Sequence, residues 1–226
     1  YTYMKLHLII PDSLNDITLE QYLKFDKINI DANRNSVFLM QKMVEIFCEV
    51  ELDLTLQMKY NDLVKIANKI ESVLNSSPDH ETTFTLDDIE YGFIPNLDNI
   101  TLGEYIDLDN YLGSWETMAK ALSVLYRPII LRKDNRYIIE EYDGTKYTDV
   151  MLKSPLNIAI GAMVFFWTLN KELLNLTLSY LKQELNQNLT LEELKTLEVN
   201  GVGINQSLHS LQEILKDLNI SQSLEH

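Results

Sequence analysis

The stretch NITLGEYIDLDNYL, residues Asn99–Leu112, has a counterpart in DITLEQYLKFDKI, residues Asp16–Ile28. Both contain Ile-Thr-Leu, two variable residues and Tyr, followed by an aliphatic residue, a variable residue, a bulky apolar residue and Asp. If the motif is catalytic, the repeated Asp26 and Asp109 are candidate acid–base groups. If it is structural, the repeated Thr is placed to begin a helix.

Helix-start signals favour the structural explanation. With Thr18 as the N-cap, Gln21 occupies the third helical position, and together they form the Thr-x-x-Gln pattern of a capping box. Thr101 and Glu104 repeat this pattern, and Thr190 begins a third copy. We therefore predict that Thr18, Thr101 and Thr190 are structural caps of three helices.

The similarity between the two regions extends beyond the helix start. Each capped stretch follows an apolar run, a Pro and a short polar loop. Downstream, SVFLMQKMVEIFC (Ser36–Cys48) lies beside SWETMAKALSVLY (Ser114–Tyr126), with Met and Lys at matching positions. We predict an internal duplication in which each half contains a short strand, a Pro-containing loop, a capped helix, a second helix, an insertion and a third helix.

The periodicity of apolar residues indicates a mainly α (α+β) fold, an internally duplicated helical module with a small β-sheet or hairpin and C-terminal helices. Tyr3–Ile10 alternates as a strand does, whereas Tyr60–Asn75 has a helical apolar stripe. Pro128–Tyr142 has two β-rich arms around a Lys-Asp-Asn-Arg turn and is predicted to form a hairpin. The helix preceding this hairpin is expected to stop before its Pro.

The same patterns divide the chain into segments. Residues 1–78 form the first repeat half, and residues 84–186 form the second half, which includes the hairpin at 128–142. The polar linker Ser76–Thr83 is the best boundary between the halves. Residues 187–223 are predicted to be a C-terminal helical segment, and the final Leu-Glu-His at 224–226 matches the start of a vector-derived histidine tag.

The charge balance narrows the classes of partner. The chain of 226 residues has 19 Lys and Arg against 34 Asp and Glu, which gives a net charge of −15. Such a surface repels phosphate backbones and anionic lipid, so nucleic-acid and membrane partners are disfavoured and basic partners are favoured. The most apolar stretch, Leu156–Asn170, is too short to span a bilayer and is predicted to be a buried helix.

Few sequence patterns indicate reactive chemistry. The four His residues are scattered, and neither a metal-ligand spacing nor a nucleophile or phosphate-binding motif is present. The single Cys48, in an apolar run, is predicted to fill the core rather than to react. Acidic clusters occur at 87–90, 107–109 and 140–143, and chance clustering on solvated faces explains them best. We therefore predict no enzyme activity, catalytic residues, cofactor or metal.

Three successive aromatic residues, Phe165, Phe166 and Trp167, cover much of one helix circumference. A helix that is apolar nearly all round is either buried in its own domain or docked against a partner. Burial in the core is the favoured explanation, and docking is the alternative. The candidate partner-binding residues are Phe165, Phe166, Trp167, Leu173 and Leu174.

Three of these segments also carry a resemblance to a known class of proteins. Gly103–Leu108, Leu125–Ile129 and Phe165–Phe166 resemble elements of proteins encoded among the virion genes of tailed bacteriophages. The resemblance covers roughly residues 99–174 and carries over no catalytic residue. It implies a small phage assembly or virion protein, of the tail-assembly-chaperone type, in the bacterial host cytoplasm or the virion.

The leading hypothesis is therefore a non-enzymatic bacteriophage assembly or virion-associated protein that acts through protein–protein interaction. Its expected partners are other phage structural proteins, either a tape-measure protein or a head or tail component, and self-association into a homo-oligomer is a further option. One alternative is a host-directed acidic effector that mimics DNA and inhibits a host enzyme. Another is an enzyme with a site in one of the acidic clusters.

Overall fold

A computed structural model describes residues 8–34, 36–134 and 136–184, with side chains as far as residue 172. This part contains eight α-helices and one four-stranded antiparallel sheet, which confirms the predicted α+β class with helix predominant. The predicted cap Thr190, the C-terminal segment 187–223 and the tag remnant 224–226 lie outside the described residues.

Along the chain, four of the described helices precede the first strand, two lie between the second and third strands, and two follow the fourth. In order they are α1 (Leu19–Asp26), α2 (Val37–Phe47), α3 (Leu52–Thr55), α4 (Tyr60–Leu74), α5 (Leu102–Tyr111), α6 (Met118–Leu125), α7 (Thr148–Met151) and α8 (Leu156–Glu184). Short 3-10 turns precede α1 and α5 at Leu14–Asp16 and Leu97–Asn99. The predictions for α2 and α4 are confirmed, and the segment that starts at Ser114 divides into a 3-10 turn and α6.

The sheet consists of two successive hairpins. Its strands are β1 (Thr83–Leu86), β2 (Ile89–Phe93), β3 (Tyr126–Lys133) and β4 (Arg136–Ile139), and they lie in sequence order. The β3–β4 hairpin confirms the sequence prediction, with the helix before it ending ahead of Pro128. The β1–β2 hairpin has no counterpart among the predicted elements. Its two turn residues, Asp87 and Asp88, have φ of 49° and 62°, as a type I′ turn requires.

Both predicted capping boxes in the described part are confirmed. The Thr18 N–H donates to Gln21 Oε1 over 2.8 Å, and the Gln21 N–H donates to the Thr18 hydroxyl over 3.2 Å. At α5, the Thr101 N–H donates to Glu104 Oε2 over 2.6 Å, and the Glu104 N–H donates to the Thr101 hydroxyl over 3.2 Å. The repeated motif is therefore a helix-start device in both places.

The third helical residue of each box also reaches a second element. Gln21 Nε2 donates to the Ile46 carbonyl near the end of α2 over 3.2 Å. Glu104 is buried instead and accepts a hydrogen bond from Arg127 Nη2 of β3 over 2.6 Å. Each capped helix is thereby attached to an element that follows it in the chain, and the attachment of α5 is an ion pair.

Other residues of the α5 motif surround this ion pair. The Arg127 guanidinium lies 5.9 Å from the centre of the Tyr142 ring, and the Tyr142 hydroxyl donates to Asp107 Oδ2 over 2.5 Å. A side chain at position 103 would meet that ring, since a Cβ there would lie 3.0 Å from Tyr142 Cε1. Gly103, Glu104 and Asp107 therefore fix α5 against β3 and the loop after β4.

The two predicted halves share one hydrophobic core. At the start of α1, the Leu19 and Glu20 N–H groups donate to the Ser154 and Leu152 carbonyls over 2.9 and 2.8 Å. These carbonyls belong to the turn between α7 and α8, so residues of the second half satisfy two of the free donors at the N-terminus of α1. The position of α1 is therefore fixed by the chain on the far side of the predicted boundary.

The predicted linker Ser76–Thr83 is non-helical as expected, but α8 holds it in place. The Asn157 side chain accepts from the Asp79 N–H over 3.0 Å and donates to the Asp79 carbonyl and to Glu81 Oε1. Gly161 lets the linker approach α8, because a Cβ there would lie 2.8 Å from the Asp79 carbonyl oxygen. This segment is therefore a packed connection between α4 and β1.

Two expectations about element bounds are wrong. Leu8–Ile10, the described end of the predicted strand Tyr3–Ile10, is not a strand. The helix predicted over Leu156–Asn170 does not end there, because α8 continues to Glu184 and no Pro or Gly follows Asn170 within it. Both halves contain a 3-10 turn, a capped helix and a second helix in that order, whereas the internal duplication stays a prediction.

Removal of a cap should lower the stability of the fold. Thr101→Ala removes the acceptor for the Glu104 N–H, so we expect the free energy of unfolding to fall by about 1 kcal/mol. Urea melts of the variant and the wild type measure this difference. Thr101→Ser keeps the hydroxyl and is the matched control; equal losses in the two variants would contradict the capping role.

Removal of one partner of the buried ion pair should cost more. Arg127→Met leaves the Glu104 carboxylate buried without its cation, so we expect a loss of about 3–5 kcal/mol in the free energy of unfolding. Glu104→Gln in the same chain removes the stranded charge and keeps a capping side chain, so the double variant should recover part of that loss. A double variant as unstable as Arg127→Met alone would show that the two residues are not coupled.

Candidate functional site

An open apolar cleft of about 900 Å³ lies between α5, α8 and the segment around β2. Its two helical walls are mainly apolar, and their apolar residues are Tyr105, Leu108 and Leu112 at α5 and Phe165, Phe166 and Leu169 of α8. The volume is within the range of about 300–1,000 Å³ that is typical of ligand pockets. We call this feature the α5–α8 cleft.

Stacked aromatic rings form one end of the cleft. The His80 ring is stacked on Phe165, with centroids 4.7 Å apart and planes inclined by 15°. Phe93 meets both rings edge to face, at 5.1 Å from His80 and 5.4 Å from Phe165. Partial burial lowers the pKa of His80 below its usual value. The imidazole is therefore neutral at pH 7 and adds no charge to the cleft.

Tyr137 closes the cleft on the side of the sheet. Its hydroxyl donates to the Phe93 carbonyl over 2.9 Å, and its ring crosses the sheet above Gly92. A Cβ on Gly92 would lie only 2.5 Å from Tyr137 Cε2, so a larger residue here would displace the Tyr137 ring. Gly92 therefore allows β4 to place an aromatic ring at the cleft.

The charges at the cleft have one sign. Among the described lining residues, the charged side chains are Asp98 and Asp109. Apolar surface continues out of the cleft along α5, where Leu102, Tyr105 and Ile106 lie on one helix face and are exposed. The cleft is therefore an apolar groove with an acidic rim and an apolar extension.

The structure separates the predicted partner-binding residues. Phe165 and Phe166 are half-buried and line the cleft. Trp167 is only 7% exposed and belongs to the core, so it offers no open surface to a partner. The side chains of Leu173 and Leu174 lie outside the described part of the chain.

Sequence reasoning missed most of the cleft. The sequence patterns place His80 in a polar linker and give the α5 residues only a role in starting a helix. The cleft residues come from separate segments of the chain, so no single stretch shows the pattern. One usable signal is present, because Leu102 and Ile106 stand on the same helix face as Tyr105 without an obvious place in a core.

The described acidic clusters have structural partners. Asp107 accepts the Tyr142 hydroxyl, and Glu140 accepts hydrogen bonds from Tyr147 and Lys146. The hydrogen bond from the Tyr147 hydroxyl, and to a smaller extent that from the Lys146 ammonium, lowers the pKa of Glu140. Both keep that carboxylate ionised. Within residues 8–34, 36–134 and 136–172, no three His, Cys, Asp or Glu side chains come together in a way that could hold a metal ion.

Two further sequence predictions concern Cys48 and the apolar helix. Cys48 is buried, and burial raises the pKa of its thiol to about 11, which fits a core residue that stays protonated. None of the described helices has the length and apolar content to cross a membrane.

Comparisons with known proteins found no matching family model, curated protein or solved structure. The resemblance to phage proteins therefore stays an expectation from the sequence motifs. Structurally, those motifs contain Glu104 and Arg127 of the ion pair and Phe165 and Phe166 of the cleft.

Two neighbouring aromatic residues of α8 should respond differently to truncation. Trp167→Ala removes a buried ring, so we expect the free energy of unfolding to fall by about 3–5 kcal/mol. Phe166→Ala removes a half-buried ring at the cleft and should cost clearly less. Chemical denaturation of both variants tests this, and an equal loss for both would show that Phe166 is as much a core residue as Trp167.

Proposed function

We propose that this protein is a non-enzymatic interaction protein that holds an apolar segment of another protein in the α5–α8 cleft. The observation that carries the proposal is the cleft itself, an open groove between two helices whose surface is mainly apolar. A groove between two helices suits the apolar face of a partner helix. The apolar surface that continues out of the cleft along α5 favours such a partner over a small ligand.

The apolar surface beside the cleft supports a protein partner. Leu102 is 75% exposed and Ile106 is 49% exposed, and both lie next to Tyr105 at the cleft. A partner helix longer than the cleft would cover them with its next turn, since helical residues three and four apart share a face. The acidic rim and the net charge of −15 favour a segment that carries Lys or Arg beside its apolar residues.

The proposed biological setting is bacteriophage assembly, with the tail-assembly-chaperone type favoured. Its support is the resemblance of Gly103–Leu108, Leu125–Ile129 and Phe165–Phe166 to proteins of phage virion gene regions. A chaperone of this kind would cover an apolar segment of a tape-measure protein, and its acidic exterior would keep the complex in solution. A virion component would use the same cleft to hold a head or tail protein.

The internal duplication is part of the same proposal. Its support is the order of elements, since a 3-10 turn, a capped helix and a second helix occur at Leu14–Phe47 and again at Leu97–Leu125. The copies would then have diverged in function. In the first, Gln21 makes the cap and tertiary contact, whereas in the second the ion pair of Glu104 places α5 at the cleft.

A matched pair of substitutions tests the proposal. Leu169→Asp places a charge inside the cleft, and Leu56→Asp makes the same change at an apolar residue that is 62% exposed and does not line it. Each variant is co-expressed with neighbouring phage structural proteins, and the amount of co-purified partner is measured. We expect Leu169→Asp to weaken capture by roughly tenfold or more and Leu56→Asp to leave it unchanged.

Thermal melts of both variants show whether each is folded. Capture of the partner by folded Leu169→Asp at the wild-type level would reject the cleft as the binding site. If the wild type binds none of the phage structural proteins and instead retains a DNA-binding host protein, the DNA-mimic alternative replaces the assembly function.

A further inference from the structure

The β3–β4 hairpin has an exposed face that no other part of the described chain covers. Beyond Pro128, β3 pairs with β4 and no longer with β2. The register places Leu131 opposite Ile138 and Lys133 opposite Arg136. Because side chains alternate between the faces of a strand, these four residues lie on one side, which we call the outer hairpin face.

The opposite side of the hairpin is used within the chain. Arg132 lies opposite Tyr137, pairs with Glu90 over 2.5 Å and stands over the Tyr137 ring. Tyr137 lines the α5–α8 cleft. The outer hairpin face therefore points away from the cleft of its own molecule.

Two features of the outer hairpin face indicate a missing partner. Its apolar pair is open to solvent, with Leu131 at 59% and Ile138 at 53% exposure. Lys133 and Arg136 are directly opposed like charges, which destabilises an antiparallel pair. Neither cation makes an ion pair with a residue that the structure describes, although the chain as a whole is strongly acidic.

The cleft offers the complementary surface. It presents apolar walls, and the charged residues of its described lining are Asp98 and Asp109. The apolar pair of the outer hairpin face matches the apolar walls of the cleft. The cationic pair matches the acidic residues at its rim, because the charges are of opposite sign. The self-complementarity is between two different surfaces of the same chain.

We propose that the outer hairpin face of one copy docks in the α5–α8 cleft of a second copy. The apolar pair enters the groove, and Lys133 and Arg136 meet its acidic rim. This inference rests on the proposed function, since it takes the cleft to be a protein-binding site. The hairpin of a second copy occupies the cleft when no other partner is bound. A phage protein that binds the cleft would have to displace the hairpin.

The placement of the two surfaces determines the kind of assembly. The hairpin and the cleft are different patches on opposite sides of the β3–β4 ribbon, so the contact is heterologous. Each copy can hold one neighbour in its cleft and insert its hairpin into another. The product is a ring if the rotation between copies closes and an open chain if it does not.

Charge reversal at the two surfaces tests the docking. Sedimentation velocity of the wild type over a range of concentrations should show reversible self-association that weakens with added salt. Arg136→Glu and Asp98→Lys should each weaken it by roughly tenfold or more, because each places like charges in contact. Combining both changes in one chain should restore association. Lys65→Glu, an exposed reversal on α4, is the matched control and should have no effect.

Mixing the two single variants tests the heterologous geometry. The Arg136→Glu variant keeps the wild-type cleft, and the Asp98→Lys variant keeps the wild-type hairpin. Between unlike variants, every contact of a hairpin with a cleft joins opposite charges, whereas contacts between like variants oppose equal charges. At concentrations where neither variant associates alone, we therefore expect the mixture to form assemblies that contain the two variants in equal amounts.

Several results would overturn the inference. The first is a wild type that is monomeric at all concentrations. The second is an assembly that neither charge reversal weakens, or that Arg136→Glu weakens while Asp98→Lys does not. The third is a mixture of the two variants that stays monomeric. A monomeric wild type whose capture of a phage protein is still sensitive to Leu169→Asp rejects the hairpin docking and keeps the proposed function. A wild type that self-associates as expected but captures no phage protein keeps the hairpin docking and rejects the proposed function. Circular dichroism shows whether each variant is folded.

Discussion

The buried ion pair between Glu104 and Arg127 determines where α5 lies, and the cleft depends on that position. Removing two charges from water is costly, so such a pair is retained only where its geometry is good and its remaining atoms are hydrogen-bonded. Here both oxygens of the carboxylate are satisfied, since Oε2 accepts the Thr101 N–H while Oε1 accepts from Arg127, whereas Arg127 Nε is buried without a hydrogen-bond partner among the described residues. The start of α5 and its attachment to β3 are therefore one structural feature, and it fixes one wall of the cleft.

The first half shows what the same local motif does with a different third residue. Gln21 completes the capping box at Thr18 and reaches a backbone carbonyl of α2, without a buried charge. The N-terminus of α1 is then held by carbonyls at the α7–α8 turn. A capping box determines where a helix begins, whereas the tertiary partner of its third residue determines where that helix lies.

This difference explains what the sequence could predict. Helix starts, the amphipathic α4 and the β3–β4 turn are encoded by residues within a few positions of one another, and their predictions are confirmed. The β1–β2 hairpin is missed because its turn is formed by Asp87 and Asp88, which tolerate positive φ less readily than Asn-Gly and resemble an acidic cluster in the sequence. The cleft is missed because its walls come from distant segments. Phe165 and Trp167 are near neighbours in the sequence, and only the packing of α8 decides which of them is buried.

The two faces of the β3–β4 ribbon connect the cleft to the outside of the molecule. Tyr137 on one face is fixed by its hydrogen bond to the Phe93 carbonyl, and Phe93 in turn packs against Phe165 at the end of the cleft. Leu131 and Ile138 on the other face stay exposed because the described sheet provides no further layer to cover them. In an antiparallel sheet packed on one side, the other face is commonly polar and solvated. Since half of the outer hairpin face is apolar and the other half is cationic, an apolar and acidic surface is the one that satisfies both.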